Sequence, residues 1–343
     1  MFGVDKMKSN FSFQWHITDE CDQRCKHCYI FAEDNSKPID RMSWESMLAT
    51  LENCEDFCRE FDRQPYFFLT GGDPILHDRF WDLAELLKSK QISFSILGNP
   101  FHLDLEICRR LKSLGCERYQ LSIDGLEKIH DFFRKPGSFE TTFEKIPILQ
   151  AAGIRVAIMT TVSKLNSKDL PKIIDRVVKS GADIFSFARY CPTSSEKSAG
   201  ISPEEYRDLL KIVDKKFAEY ESSQTYFDRK DHLWTLFDFE NGRFKIPEDA
   251  EPEMIYDGCN CGNSHLTILP SGDVLACRRV RNSRVGNVLK DRLVDLWLNE
   301  MEKYRDYDRF EKCSRCELLR FCRGCPATAE NFYAADPQCW KEI

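Results

Sequence analysis

The chain reads as an α/β protein built from parallel β/α units, followed by a small cysteine-rich C-terminal extension. Three observations predict this. Strand-like and helix-like runs alternate six times between Ser12 and Ala188, the pattern of a parallel sheet. The motifs with chemical character fall where the predicted strands end, the place where α/β barrels build their sites. Of the sixteen cysteines, eight lie from Cys259 onward.

The first strand, Ser12–Thr18, alternates and ends in a loop carrying Cys21, Cys25 and Cys28 at spacing C-x3-C-x2-C. A closed zinc site or an ordinary iron–sulfur cluster takes four protein ligands, so three close thiols suggest a cluster with one iron left open. The alternatives are a zinc site completed by His27 or a reactive thiol cluster. Ser43 caps a helix running to Arg59, with Glu45 in its first turn. The second strand, Tyr66–Thr70, breaks at Gly71-Gly72-Asp73-Pro74, where glycines let the backbone approach a ligand; a plain turn is the competing reading. Trp81–Lys88 is helical. The third strand, Ile92–Leu97, ends at Gly98-Asn99-Pro100, and Leu103–Leu114 is a helix stopped by Gly115.

The fourth strand, Arg118–Ile123, leads into Asp124-Gly125. Ser122 and Asp124 are two apart and share a face. A loop from His130 to Phe139 contains Arg134, whose guanidinium suits a carboxylate; a solvated arginine is the other reading. A helix over Phe139–Ala152, a fifth strand over Arg155–Thr161, a helix over Lys168–Ser180 stopped by Gly181, and a sixth strand over Ile184–Ala188 follow. That strand runs into Arg189-Tyr190-Cys191. Ser194–Gly200 is a small polar loop, Pro203–Tyr220 an amphipathic helix capped by Ser202, and Tyr226–Ile255 has no clear period and reads as a bridge lining the site. Leu266–Ala276 reads as a β-hairpin with a Ser-Gly-Asp turn.

Composition narrows the function. The 343 residues are 42% hydrophobic, enough for a sizeable core. Lys plus Arg total 49 against 56 Asp plus Glu, a net charge of −7, with no basic block, which argues against a nucleic-acid partner. No signal-like segment opens the chain, and no stretch reaches the ~18 apolar residues of a membrane span. The expectation is a soluble, cytoplasmic protein without a membrane partner. In a reducing cytosol sixteen cysteines point to metal rather than disulfides. Cys54, Cys58, Cys108, Cys116 and Cys191 are scattered and read as small buried hydrophobes. Cys191, just after the sixth strand, has two sharper roles open to it: hydrogen-atom donor or cluster ligand.

The segment from Trp15 to Tyr29 resembles the signature of radical S-adenosylmethionine (SAM) enzymes. The resemblance implies a partial (β/α)6 TIM barrel. It also implies that Cys21, Cys25 and Cys28 hold a 4Fe–4S cluster whose open iron is chelated by SAM, and that reductive cleavage of SAM yields a 5′-deoxyadenosyl radical that abstracts a substrate hydrogen. Gly71-Gly72-Asp73-Pro74 resembles the GGEP-like segment that binds the SAM amino group, with Asp in place of the commoner Glu. By the same resemblance Ser122, Asp124 and Arg134 contact SAM or a substrate acid.

The C-terminal cysteines resemble the SPASM domain, which carries two auxiliary 4Fe–4S clusters. The resemblance assigns Cys259, Cys261, Cys277 and Cys325 to the first, and Cys313, Cys316, Cys322 and Cys339 to the second. Two departures stand out: Cys322-x2-Cys325 replaces a usual C-x3-C, and one residue separates Cys259 from Cys261. A pair of zinc knots is the alternative. The implied division is a barrel over 1–195, a bridge over 196–255 and the SPASM domain over 256–343, with three clusters in all. SPASM enzymes most often modify ribosomally made peptides or protein side chains, by crosslinking such as thioether formation or by oxidation. Only 20 residues precede Cys21, so the leader-binding domain common in such maturases is expected to be absent and a separate leader-recognition protein to stand in. A flavodoxin or ferredoxin is the implied electron donor. The alternative substrate is a small molecule such as a haem precursor; the non-enzymatic alternative is an iron–sulfur or zinc binding module.

Overall fold

The computed structural model describes residues 9–31, 36–191, 200–251, 254–280 and 282–343. The polar loop expected over 194–200 lies, apart from Gly200, outside them. The six β/α units form as expected: β1 (Asn10–Thr18), α1 (Trp44–Glu60), β2 (Gln64–Gly71), α2 (Phe80–Ser89), β3 (Phe94–Leu97), α3 (Leu105–Ser113), β4 (Cys116–Ser122), α4 (Glu127–Phe133), α5 (Ser138–Ala151), β5 (Arg155–Val162), α6 (Leu170–Ser180) and β6 (Ile184–Arg189). Then come α7 (Pro203–Glu219), β7 (Tyr226–Asp228), α8 (Leu233–Glu240), β8 (His265–Ile268), β9 (Asp273–Leu275) and β10 (Arg284–Asn287).

β1 to β6 pair in parallel in chain order, as a barrel wall requires. The sheet is wider than the six expected strands. β7 adds in parallel to β6, and β8 adds in parallel to β1. The hairpin of β8 and β9 therefore continues the barrel wall, and β10 closes the order at that edge. Two segments depart from expectation. The stretch read as loop over His130–Phe139 begins in a helix, since His130–Phe133 belong to α4. The aperiodic bridge contains β7 and α8, whose Trp234 and Phe237 are buried against the barrel's outer core.

Strand alternation separates two environments. In β1 the helix-facing residues Phe11, Phe13, Trp15 and Ile17 are buried in the apolar core, so Ser12, Gln14, His16 and Thr18 face the interior of the curved sheet. Ser43 caps α1 by accepting from Ser46 N, and Ser202 and Glu205 form a capping box on α7. These local signals agree with the tertiary layers, which is why the sequence reads so directly.

Candidate active site and auxiliary metal centres

The loop after β1 is held in place from several sides. Lys26 N donates to Phe133 O at 2.8 Å, fixing the cysteine loop against α4. Gln23 Nε2 donates to Ser138 Oγ at 2.6 Å. His130 Nδ1 accepts from Asp124 N at 3.1 Å, and its Nε2 lies 3.1 Å from Ser138 Oγ. Burial, then Arg134, pushes His130 down to about 4 and keeps the ring neutral, which this pair of bonds requires. Burial raises Cys21 and pushes Cys25 up to about 12. Thiols this enclosed become thiolates only around a metal's positive charge.

Asp124 is buried and fully engaged. Its Oδ2 accepts from Arg134 Nε at 2.6 Å and lies 3.1 Å from His27 Nε2; its Oδ1 accepts from Thr161 N at 2.8 Å. Burial alone would raise its carboxyl, but Arg134 and then His27 outweigh it and hold the group well below the usual carboxylate range. Arg134 Nη1 reaches Gln23 Oε1 at 3.5 Å and Cys25 Sγ at 3.8 Å. Arg134 is thus an ion-paired residue beside the thiols rather than a solvated one. Ser122 is half-buried on the inner face of β4.

The segment Gly71-Gly72-Asp73-Pro74 crosses tightly over β1. Gly72 N donates to Thr18 O at 2.8 Å and Asp73 N to Glu20 O at 2.7 Å. A Cβ on Gly71, which sits at φ +125°, would collide with Thr18 O, and one on Gly72 with Glu20 O. Asp73 is fully buried, yet neither carboxylate oxygen has a partner. Burial, then Asp22, pushes its carboxyl up to about 7. Its ligand atoms, with those of Asp22 and His102, lie within 4.8 Å of one another. A buried, unpartnered acid is costly unless a cation or a hydrogen-bond donor meets it.

The C-terminal thiols fall into two groups. Cys313, Cys316, Cys322 and Cys339 line one cavity together with Leu236, Leu318 and Asp336. The other group gathers Cys259, Cys261, Cys277, Cys325 and Cys191. Cys259 lies beside Cys261 and His232, and Cys191 beside Cys325. Arg323 donates to the carbonyls of Cys259 and Cys261, the latter at 3.0 Å. No three cysteine sulfurs among the described residues come within 4.8 Å of one another. A single zinc ion needs its sulfurs about 3.8 Å apart, given Zn–S bonds of about 2.3 Å. The wider spacing fits a polynuclear cluster, whose thiolates sit on different metal atoms.

The inner face also holds residues that no motif announces. Arg278 stacks over the Tyr29 ring at 4.9 Å, and that ring lies 6.0 Å from the ring of buried His16. Neither nitrogen of His16 has a partner, and burial, then Arg278, keeps it well below the usual histidine range. Lys230 is pushed down to about 8 by burial and then by Arg279, with Arg118 also acting on it and Asp228 opposing. Arg118 lies on β4 and Lys230 just beyond β7, strands separated in the sheet by β5 and β6. His265, on β8 at the opposite side, also feels Lys230 and Arg279. The sheet therefore curls until its two sides face one another across a cation-rich interior. Isolated lumen-facing charges have no spacing signature, so only the closed sheet reveals them.

The family model described as the Radical SAM superfamily matches residues 15–177, and that described as an iron–sulfur cluster-binding SPASM domain matches residues 259–326. Among curated relatives, the chain is 28% identical to the AdoMet-dependent heme synthase of Nitratidesulfovibrio vulgaris, covering 95% of this chain and 90% of that protein. It is 26% identical to the Fe-coproporphyrin III synthase of Methanosarcina barkeri, covering 95% and 86%. It is 24% identical to the mycofactocin maturase MftC of Mycobacterium tuberculosis, covering 95% and 81%. Its fold is similar to that of Streptococcus suis SuiB bound to S-adenosylmethionine, with a TM-score of 0.75 at 18% identity, covering 97% of this chain and 78% of the other. Matching domains at both ends, on a parallel α/β sheet whose strand ends gather the cysteines, place the chain in one family: it is a radical S-adenosylmethionine enzyme with a C-terminal SPASM domain.

Proposed function

We propose that this enzyme abstracts a hydrogen atom from a small, multiply carboxylated substrate of the tetrapyrrole class, a haem precursor held inside the barrel. The observation that carries this reading is the convergence of cations on the inner side of the sheet: Arg279 and Arg118 both act on Lys230, with Asp228 opposing, Lys230 and Arg279 both act on His265, and Arg278 acts on His16. Guanidinium and ammonium groups in a partly desolvated cavity recognise carboxylates strongly. Two of the relatives are named for haem or iron-coproporphyrin synthesis, and that similarity supports the same substrate class. Modification of a peptide side chain is the second reading. The similarity to MftC favours it, as does the fold shared with SuiB, which has also been solved bound to its precursor peptide.

In this reading Cys21, Cys25 and Cys28 hold the SAM-binding 4Fe–4S cluster, and the two C-terminal thiol groups hold two auxiliary 4Fe–4S clusters. When bound, the cluster and SAM supply the 5′-deoxyadenosyl radical. The chain's own residues bind, orient and exclude water. Gly71 and Gly72 bring backbone to the ligand, and Asp73 would accept from the SAM amino group. Asp124 acts as a positioning residue, tying Arg134 to His27 of the cysteine loop. The Tyr29 ring under Arg278 holds the cation by a cation–π contact. We keep 1–195, 196–255 and 256–343 as barrel, bridge and SPASM domain, and a flavodoxin or ferredoxin as electron donor.

The test is anaerobic binding of iron-coproporphyrin III, followed by absorbance, in the reconstituted protein. Micromolar or tighter binding is expected, weakened about tenfold or more by Arg278→Ala and by Lys230→Ala, since each removes a partner of a partly buried charge pair. Binding unchanged in both variants, or no binding by the wild type, would reject the tetrapyrrole reading and leave the peptide one.

A further inference from the structure

β6 ends at Arg189, and two residues later Cys191 enters the first auxiliary thiol group from the barrel side. Its thiol lies beside that of Cys325, and Arg279 Nη1 donates to its sulfur at 3.5 Å. Cys277 is close enough to act on it, and Cys277 also feels Cys259 and Cys325. Cys261 in turn feels Cys277. Five thiols thus converge where a four-iron cluster takes four.

The five do not approach evenly. Cys259 and Cys261 come from one three-residue stretch, lie beside each other, and have both carbonyls tied to Arg323. They share one side of the group. Cys277 follows β9, Cys325 comes from the C-terminal cysteine run, and Cys191 comes from the end of β6. Arg279 is flanked by Cys191, Cys325 and Cys277, so it supplies positive charge to that side. Cys191 is anchored there by its neighbour. Arg189 is buried and bidentate to Asp336, whose Oδ2 also accepts from Cys325 N at 2.8 Å. One buried ion pair therefore fixes the backbones on which both Cys191 and Cys325 stand.

We infer that Cys191 is a ligand of the first auxiliary cluster, supplied by the barrel, and that one thiol of the Cys259–Cys261 pair is the surplus one. The inference rests on the auxiliary-cluster reading above. It has a consequence for function: with four ligands drawn from five thiols, the first auxiliary cluster has no iron left for a substrate atom and serves electron transfer. It also places a cluster ligand beside Arg279, one of the cations of the substrate cavity.

The test uses the full chain with Cys21, Cys25 and Cys28 replaced by Ala, so that only auxiliary signals remain. Iron is counted, and the reduced clusters are examined by electron paramagnetic resonance and Mössbauer spectroscopy. The parent is expected to hold about eight irons. Adding Cys191→Ser, which keeps size and offers oxygen to the iron, is expected to change the signal of one cluster and leave the other. Adding Cys191→Ala is expected to lower the iron count or convert that cluster to a three-iron form. Of Cys259→Ala and Cys261→Ala, one is expected to leave both signals intact. Identical spectra and iron content in parent, Cys191→Ser and Cys191→Ala would overturn the ligation while leaving the auxiliary clusters in place. A parent without auxiliary iron would instead overturn the cluster reading on which it rests.

Discussion

The Asp73 carboxyl group is fully buried, carries no hydrogen bond and sits where a glycine pair opens the backbone. Its pKa, raised from 3.8 to about 7 by burial and by Asp22, means the folded, ligand-free chain holds this proton more tightly than the unfolded chain does. The ligand-free protein therefore gains stability as pH falls from about 7 toward 4, because protonation relieves the buried charge. SAM binding has the opposite sign. In the proposed reading the carboxylate accepts from the SAM amino group, so SAM affinity is expected to fall roughly tenfold per unit below about pH 7. Calorimetric titration of the reconstituted protein from pH 6 to 8 checks this. Asp73→Asn should weaken binding and flatten the profile; an equal slope in the variant would assign the pH dependence to another group. Asp73 was legible in the sequence because a glycine pair followed by an acid and a proline is a local pattern. The cysteine triad was legible for the same reason. His16, Lys230, Arg278 and Arg279 were not, since each is a single polar residue whose partners come from distant segments.

At the scale of elements, periodicity carried the six β/α units to within a few residues, because each alternates a buried outer face with a polar inner one. It failed for β7, which has three residues, and for α8, whose Leu233, Trp234, Leu236 and Phe237 are buried but too few to show a helical period. It also gave no hint that β8 pairs with β1, a contact between the two ends of the chain. The joint between β6, the bridge and the C-terminal segment is equally non-local. Arg189 donates to Asp231 Oδ2 at 2.8 Å, to both oxygens of Asp336 at 2.6 and 2.8 Å, and to Gln338 Oε1 at 2.8 Å. All of these groups are buried. Arg189→Met would keep the volume and strand two buried carboxylates. Breaking a buried pair from one side typically costs about 3–5 kcal/mol. The expected outcome is a markedly lower urea midpoint and faster loss of auxiliary iron. A variant with wild-type midpoint and iron retention would show that the clamp does not hold the cluster-bearing segment.

Across the whole molecule, one ten-stranded sheet positions the cysteine loop, the glycine pair and the hairpin that leads to the auxiliary thiols. Its parallel strands end at the cysteine triad, the glycine pair and Asp73, its inner face presents the cations, and its added strands lead into the auxiliary thiols. That continuity puts the cysteine loop, the inner-face cations and the strands leading to the auxiliary thiols on one frame, with no helix among the described residues long and apolar enough to cross a membrane. The tetrapyrrole reading and the radical chemistry meet in one measurement: 5′-deoxyadenosine formation by the anaerobically reconstituted enzyme with SAM and dithionite, with and without iron-coproporphyrin III. The account predicts about twelve irons per chain and deoxyadenosine formation that rises with the porphyrin, in step with porphyrin oxidation seen by mass spectrometry. Deoxyadenosine formed at the same rate with or without the porphyrin, which stays unaltered, would contradict it.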